Sequence, residues 1–343
     1  MTSQTTKDEY LLLFANCIPV KGISRSLIVD LQRNGMYFID NYLYDILQEC
    51  RERRWKEIVS DYDDEAQSTI EQYVHFLEEN ELCFWTSFPG LFPEIDLEFD
   101  CPAMISNAII DVKEQSEHDW NDLFMQFTEL GCRDIQIRFF YAVNKTVVEH
   151  ILDLLRNSYI KSVEMIIGYS TVFTQEYLEG LIEEHVRIKT IYLHSAPVDQ
   201  VYKIEEGTGM GNIVFTSQVI DSSDHCGAIS YHTFNFSEPR TFAEYKNFNS
   251  CLNRKASIDV DGNIRNCPSL PDVYGNVRKD RVRDVINEKF KSYWNIKKDQ
   301  IDICRVCEFR YVCSDCRAFV KTPGDLFSKP EKCSYDPYTM EWH

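Results

Sequence analysis

The chain has 343 residues, of which 44% are hydrophobic, so it can bury more than one core and should divide into two or three domains. Its net charge of −19 argues against nucleic acid as a partner, because phosphates require a basic surface, and favours a peptide or protein instead. No basic and apolar secretory pattern opens the sequence, and no apolar window could span a membrane. We therefore expect a cytoplasmic protein, whose thirteen cysteines indicate metal binding, catalysis or buried thiols rather than disulfides.

The first region reads as three short strands followed by helices. The predicted strands are YLLLFANC, RSLIVDL and MYFID, and Asn34-Gly35 forms a hairpin turn between the last two. The predicted helices are NYLYDILQECRERRWKEIV and DDEAQSTIEQYVHFLEENE, the second with apolar residues at helical spacing. Strands followed by helices in so short a stretch predict a small α+β domain of winged-helix type.

From about Leu97, strands and helices alternate. The predicted strands are SNAIIDV, RDIQIRFF, SVEMIIGY, IKTIYLHSA and NIVFTSQ. Helix-like segments separate the first four strands, and Gly131 ends the first of these helices. Such regular spacing is typical of βα units that build a parallel sheet, either open or a partial barrel, with any site at the carboxyl ends of the strands. Of the two, we expect the partial barrel.

The last third of the chain, from about Asp221, holds eight of the thirteen cysteines. They are Cys226, Cys251, Cys267, Cys304, Cys307, Cys313, Cys316 and Cys333. A zinc ribbon usually separates two CxxC pairs by a longer finger than the five residues between Cys307 and Cys313, although one tetrahedral ion could take four thiolates. Two iron-sulfur cubanes would use seven or eight dispersed thiolates. We therefore predict two clusters of the [4Fe-4S] kind, with zinc as the alternative.

The order of these cysteines resembles the SPASM domain, the auxiliary-cluster module of many radical S-adenosylmethionine enzymes that modify peptides. CLNRKASIDVDGNIRNC has the form Cys, spacer, Gly, four residues, Cys, and the chain continues as CxxC, five residues, CxxC and a final Cys. The family usually spaces the last pair by three residues, whereas two separate Cys313 from Cys316. The resemblance therefore implies auxiliary clusters and leaves their geometry open.

The same resemblance implies a division of the cysteines between two clusters. The outer auxiliary cluster would be held by Cys304, Cys307, Cys313 and Cys333. The inner cluster would take three ligands from Cys251, Cys267 and Cys316. Cys226 is the candidate for the fourth inner ligand, and His225 is a weaker one.

One motif of the radical enzymes is absent from this sequence. Those enzymes hold their catalytic cluster with a CxxxCxxC loop after the first barrel strand, because three thiolates leave one iron open to chelate S-adenosylmethionine. After SNAIIDV the chain reads KEQSEHDWND, and no CxxxCxxC occurs anywhere. We therefore do not expect S-adenosylmethionine as a cofactor. The sequence leaves open an accessory maturase and a redox or radical peptide-modifying enzyme that uses its auxiliary clusters.

The N-terminal strands and helices resemble the peptide-recognition element of peptide-maturation proteins, in which a precursor's leader adds as an edge strand. This resemblance implies a strand edge at Met36, Tyr37, Phe38 and Ile39, and a groove lined by Tyr73, Phe76 and Leu77. The alternative is that these side chains only fill the domain's own core.

Over nearly its full length the chain resembles the SPASM-domain peptide maturases of grasp-with-spasm systems, which make graspetide-type peptides. The partners implied are a ribosomal precursor peptide and an ATP-grasp ligase. The predicted fold class is α/β, with a winged-helix-like peptide-recognition domain at 1–90, a degenerate radical-SAM-like partial (βα) barrel at 91–220 and a SPASM iron-sulfur domain at 221–343.

Overall fold

The computed structural model describes residues 8–204, 209–235 and 238–343. They form two compact units, each assembled from separate stretches of chain. The first unit contains the described residues of Met1–Phe99, Ala228–Ser250 and Ile296–His343, and the second contains those of Asp100–Gly227 and Cys251–Asn295. The mixed α/β class is confirmed, while the boundaries near residues 90 and 220 stay predictions. None of the helices described has the length and apolarity needed to cross a membrane.

The N-terminal part of the first unit contains five strands and three helices. They are β1 (Tyr10–Leu13), β2 (Cys17–Val20), β3 (Ser26–Asp30), β4 (Gly35–Ile39), α1 (Asn41–Glu49), α2 (Trp55–Val59), α3 (Asp64–Glu79) and β5 (Cys83–Thr86). Strands β2, β3 and β4 form an antiparallel sheet, and β1 pairs with β5. The predicted hairpin is confirmed, with Asn34 at φ 55° in its turn.

Two details of this region differ from the sequence prediction. The run YLLLFANC is two strands rather than one, because the Cys17 amide donates to the Phe14 carbonyl at 2.8 Å and closes a turn between β1 and β2. Strand β5 was not predicted, since its four residues show no clear alternation. Its antiparallel pairing with β1 covers Leu11, which is fully buried.

The first unit has two hydrophobic cores. One lies among the three helices and contains Leu43 and Leu77. The other joins residues of β2 and β3, such as Leu27, to Phe309 and Cys313 of the cysteine-rich segment. The N-terminal strands and the cysteine-rich segment therefore fold against each other within this unit.

The second unit is built around the predicted βα repeats. Its elements up to residue 215 are β6 (Asn107–Val112), α4 (Trp120–Glu129), β7 (Asp134–Phe139), α5 (Lys145–Arg156), β8 (Ser162–Gly168), α6 (Gln175–Glu184), β9 (Ile188–His194), β10 (Gln200–Ile204) and β11 (Gly211–Phe215). All five predicted strands and all three predicted helices are confirmed, and Gly131, with φ 80°, follows α4 as predicted. Strand β10 was not predicted.

The remaining elements are short, and only some of them belong to this sheet. The first unit contains α7 (Pro239–Asn247), together with β15 (Tyr335–Asp336) and β16 (Glu341–Trp342), which pair with each other. The second unit contains β12 (Lys255–Ile258), β13 (Asn263–Arg265), β14 (Gly275–Asn276), α8 (Val282–Val285) and α9 (Glu288–Lys291). Strands β12, β13 and β14 extend the sheet at one end. The strand order is β10-β11-β9-β8-β7-β6-β12-β13-β14, parallel from β11 to β12. Because β10 and β14 are the two ends of the order, the described strands do not close into a full barrel.

The two faces of this sheet differ in chemistry. In the central strands, neighbouring Ile110, Ile137 and Met165 are fully buried on one face. The opposite face carries polar residues in register, including Asp111 beside Arg138. Alternate residues of a strand point to opposite faces, so the polar row forms a chemically distinct surface of the second unit.

Candidate cluster sites and a peptide-binding edge

The four cysteines predicted for the outer cluster all lie in the first unit. Cys304 and Cys313 are buried, while Cys307 and Cys333 are partly buried. A short 3₁₀ turn carries the CxxC segment, and the Cys307 amide donates to the Cys304 carbonyl at 3.0 Å. Ile303, immediately before this turn, is a β-branched residue at φ 66°, a conformation that such side chains rarely adopt. The chain therefore accepts local strain in order to place the first thiol.

A buried lysine accompanies this outer thiol set. The ammonium of Lys298, which is 2% exposed, donates to the Ser314 carbonyl at 2.8 Å and to the Cys313 sulfur at 3.4 Å. Burial raises the pKa of the Cys304 thiol to about 11, and the Lys298 ammonium opposes that rise. Burial also raises the pKa of the Cys313 thiol, and the Lys298 ammonium again opposes that rise. Lys298 thus interacts with Cys313 directly and with Cys304 and Cys307 through its charge.

Three of the cysteines predicted for the inner cluster lie in the second unit. Cys226 is exposed, and Cys251 and Cys267 are partly buried. Because β12 extends the parallel sheet beside β6, the Cys251 segment stands next to the first strand of the βα repeats. Cys316 is buried and belongs to the first unit, so its place in the same cluster stays a prediction.

The inner thiols also have a lysine beside them. The Lys255 ammonium donates to the Cys251 sulfur at 3.5 Å. Burial raises the pKa of Cys267 to about 12, the Cys251 thiol adds to that rise, and Lys255 opposes it. Neither Lys255 nor Lys298 forms an ion pair with any Asp or Glu that the structure describes. No cysteine motif signals these two lysines, and sequence reasoning missed them.

The arrangement of the thiols does not form a site for a single ion. In the described ranges, no group of three or more His, Cys, Asp or Glu side chains is positioned to hold a metal ion. All thirteen cysteines lie within those ranges as thiols. The iron-sulfur clusters therefore stay a prediction, which rests on the order of the cysteines and on the chemistry around them.

The predicted peptide-binding edge is strand β4, at one end of the β2-β3-β4 sheet. The Leu31 amide donates to the Asn16 carbonyl at 3.0 Å. This bond shows that Leu31, and every second residue of β3 before it, directs its backbone groups toward β2. Hydrogen-bonded pairs alternate along antiparallel strands, so Gly35, Tyr37 and Ile39 face β3. The amides of the two residues between them, Met36 and Phe38, therefore point to the open side of β4.

The predicted groove residues differ in their accessibility. Tyr73 and Phe76 of α3 are partly buried, and the Phe76 ring meets Tyr37 edge to face at 6.5 Å between centroids. Leu77 is fully buried and Ile39 is 6% exposed, so both side chains fill the core under the sheet. Direct contact with a peptide would thus fall to the other predicted residues, with Leu77 and Ile39 supporting them from beneath.

Phe38 connects the open edge to the cysteine-rich segment of the same unit. Its ring, 42% exposed, lies 3.6 Å from the Arg25 guanidinium carbon and 5.8 Å from the ring of Phe309. The Arg25 side chain donates to the Glu308 carboxylate at 2.8 Å, and the Tyr335 hydroxyl donates to the same oxygen at 2.5 Å. Glu308 directly follows Cys307, so the edge and the outer thiols share a contact network.

Comparison with known proteins gave matches to solved structures only. The described architecture is similar to SuiB from Streptococcus suis bound to S-adenosylmethionine, with 10% identity over 95% of this chain and 98% of SuiB and a TM-score of 0.41. SuiB bound to its precursor peptide SuiA matches with 9% identity over 94% and 99% of the two chains and the same TM-score of 0.41. No protein-family model and no curated protein matches the chain.

A buried ion pair stands near the carboxyl ends of the first two parallel strands. Asp111 of β6 and Arg138 of β7 are 2% and 4% exposed, and two hydrogen bonds of 2.6 and 2.8 Å join them. Burial raises the pKa of Asp111 and the Arg138 guanidinium opposes that rise. The sequence signal was a charged residue next to the last position of each of two apolar strands, and sequence reasoning did not use it.

Breaking this pair should destabilise the fold. We expect Arg138→Met to lower the free energy of unfolding by about 3–5 kcal/mol, because it leaves Asp111 buried without its cation. Asp111→Leu combined with Arg138→Met should recover much of that loss, since the double variant buries no charge. Urea unfolding followed by circular dichroism compares the variants, and equal destabilisation of single and double variants would contradict the charge argument.

Proposed function

We propose that this chain is an accessory maturase for a ribosomally synthesised, post-translationally modified peptide. It holds two iron-sulfur clusters, captures the precursor's leader on β4 and acts beside an ATP-grasp ligase that makes the new bonds. The observation that carries the proposal is that a lysine ammonium donates to a sulfur of each predicted set of thiols, and that neither lysine forms an ion pair with a carboxylate of the described residues. The ligase is implied by the sequence resemblance alone.

Charge balance explains why these thiols suit a cluster. A buried ammonium requires a nearby anion, since desolvating it without one is costly. A thiol whose pKa is about 11, as for Cys304, is neutral at neutral pH and cannot neutralise Lys298. The Asp315 carboxylate favours the charged form of Lys298, but it already accepts from Arg317 at 2.7 Å and from Asn249 at 2.6 Å and forms no ion pair with Lys298. A cluster held by deprotonated cysteines is anionic and supplies the missing charge.

The residues that would hold the two clusters are those of the predicted sets. Cys304, Cys307, Cys313 and Cys333 would hold the outer cluster, and Cys226, Cys251, Cys267 and Cys316 the inner one. Such clusters, when bound, transfer single electrons or brace the fold. The protein's own contribution is the buried setting of the outer thiols and the cation at each set.

The accessory role follows from the segment after β6. The residues between Val112 and Trp120 contain no cysteine, so three thiolates for a catalytic cluster are missing there. The preceding strand instead ends beside the buried Asp111–Arg138 pair. Leader capture is supported by the open side of β4, whose outward amides can pair with an added strand.

The second candidate is an enzyme that acts through its inner cluster. One observation favours it: Cys226 is the exposed cysteine of the inner set. An exposed ligand is the one that a substrate could most readily displace to reach an iron. This candidate and the accessory role differ in whether the chain consumes a cosubstrate.

The accessory role predicts a specific negative result. With dithionite as reductant and S-adenosylmethionine as cosubstrate, the reconstituted protein should yield no 5′-deoxyadenosine above a protein-free background. The physical reason is that no CxxxCxxC provides an iron open to the methionine moiety. Chromatography of the products checks the result, and protein-dependent formation of 5′-deoxyadenosine would overturn the accessory role.

A further inference from the structure

The two lysines at the thiol sets lie close enough to the cysteine sulfurs to donate hydrogen bonds to them. Lys298 is buried, whereas Lys255 is partly exposed. Each donates to one cysteine sulfur, at 3.4 Å for Cys313 and 3.5 Å for Cys251. The lysines belong to different units, so each set has a cation of its own.

We propose that Lys298 and Lys255 are positioning residues that set the reduction potentials of the outer and inner clusters. The inference rests on the proposed function, because it requires that both clusters bind. Cluster potentials depend on net charge, on hydrogen bonds to the sulfurs and on solvent exposure. A lysine beside a ligating sulfur supplies the first two of these influences.

The direction of the effect follows from electrostatics. Reduction adds one electron to a cluster without breaking a bond, and the reductant in the test below is dithionite. A fixed positive charge stabilises the reduced, more negative form and so raises the potential. Removing the charge should make the potential more negative. The effect should be larger for Lys298 than for Lys255, because interactions between charges strengthen away from water.

The surroundings of Lys298 leave it as the cation that faces the outer thiols. Arg317, the other fully buried cation nearby in sequence, is engaged with Asp315 and with the Leu326 and Ser328 carbonyls. Arg310 donates to the Lys21 and Cys307 carbonyls rather than to a sulfur. Substituting Lys298 therefore removes the hydrogen-bonded charge at this set and leaves the other cations in place.

The test is a redox titration followed by electron paramagnetic resonance on the full chain, reconstituted anaerobically. The variants are Lys298→Met, which keeps the length of the side chain, Lys298→Arg, which keeps the charge, and Lys255→Met. Lys297→Met is the matched control, since Lys297 is adjacent in the chain and no hydrogen bond among the described residues joins it to a sulfur. Iron content and circular dichroism are measured on the same samples.

We expect Lys298→Met to move one cluster's midpoint to a more negative potential and leave the other unchanged. Lys255→Met should move the other midpoint by less, and both Lys298→Arg and Lys297→Met should stay near the wild-type values. Loss of one cluster's iron in folded Lys298→Met, with retention in Lys298→Arg, would show that the charge holds the cluster rather than sets its potential, and would overturn the inference.

Two further outcomes would overturn the inference. One is full iron content with unchanged midpoints in Lys298→Met and Lys255→Met. The other is an equal loss of iron in Lys298→Met and Lys298→Arg, which would assign a packing role to this side chain. Wild-type protein that binds no cluster would instead refute the proposed function, so the two failures are distinguishable.

Discussion

Replacement of Cys304 by Ala is expected to remove about half of the iron that the anaerobically reconstituted protein binds. Cys304 is a buried thiol of the outer set, in the same unit as Lys298, Cys307 and Cys313. Without Cys304 the outer cluster lacks one of its four thiolate ligands, whereas the inner cluster keeps all of its ligands. Iron and sulfide analysis and the visible charge-transfer absorption of the clusters measure the loss.

Cys50→Ala is the matched control for this substitution. Cys50 lies in the same unit and is 2% exposed, and burial raises the pKa of its thiol to about 12. Cys50 belongs to the hydrophobic core among the helices and to neither thiol set. The iron content of the Cys50→Ala variant should therefore equal that of the wild type. Stoichiometric zinc without visible absorption, in protein reconstituted anaerobically, would refute the clusters and favour the zinc alternative.

The second large effect is expected at the open edge of β4. Phe38→Pro should abolish binding of the leader, because proline removes the outward amide that a paired strand would use. The β3 ladder should survive, since the amide of Phe38 points away from β3. Calorimetry with a synthetic leader of the proposed precursor peptide measures the affinity.

Phe38→Ala separates the amide from the ring. This variant keeps the outward amide but removes the ring that lies against Arg25 and Phe309, so it should weaken binding only partly. Both variants should retain iron, although the ring contacts the segment that carries the outer thiols. Unchanged affinity in folded Phe38→Pro would place leader binding elsewhere, and the basic run Arg278–Lys298 is then the first region to test.

The elements predicted best are those with the clearest local pattern. The parallel strands are apolar runs, and the helices between them show helical spacing, so β6, β7, β8 and β9 could be located from sequence. Strand β10 was missed because it is not an apolar run. Three of its five residues are exposed, and the other two are only partly buried. Its pairing with β11, rather than its own composition, makes it a strand.

Contacts between distant parts of the chain could not be predicted. The parallel pairing of β12 with β6 joins Lys255 to Asn107, and no periodicity within either strand specifies that partner. The same holds for the lysines, since nothing near Lys298 in the sequence marks it as the cation of the outer thiols. Cysteine order predicts the two thiol sets, but the charges around the cysteines depend on the folded chain.

The shared core of the first unit has a consequence for the order of events during synthesis. Leu27 emerges from the ribosome early, whereas Phe309 and Cys313, which pack in the same core, emerge near the end of the chain. Chains fold in the order of their synthesis where contacts are local, and contacts of this sequence separation form late. The outer thiols therefore gather only after Cys333 has been made, so the proposed iron-sulfur cluster would be inserted into that site after translation rather than during it.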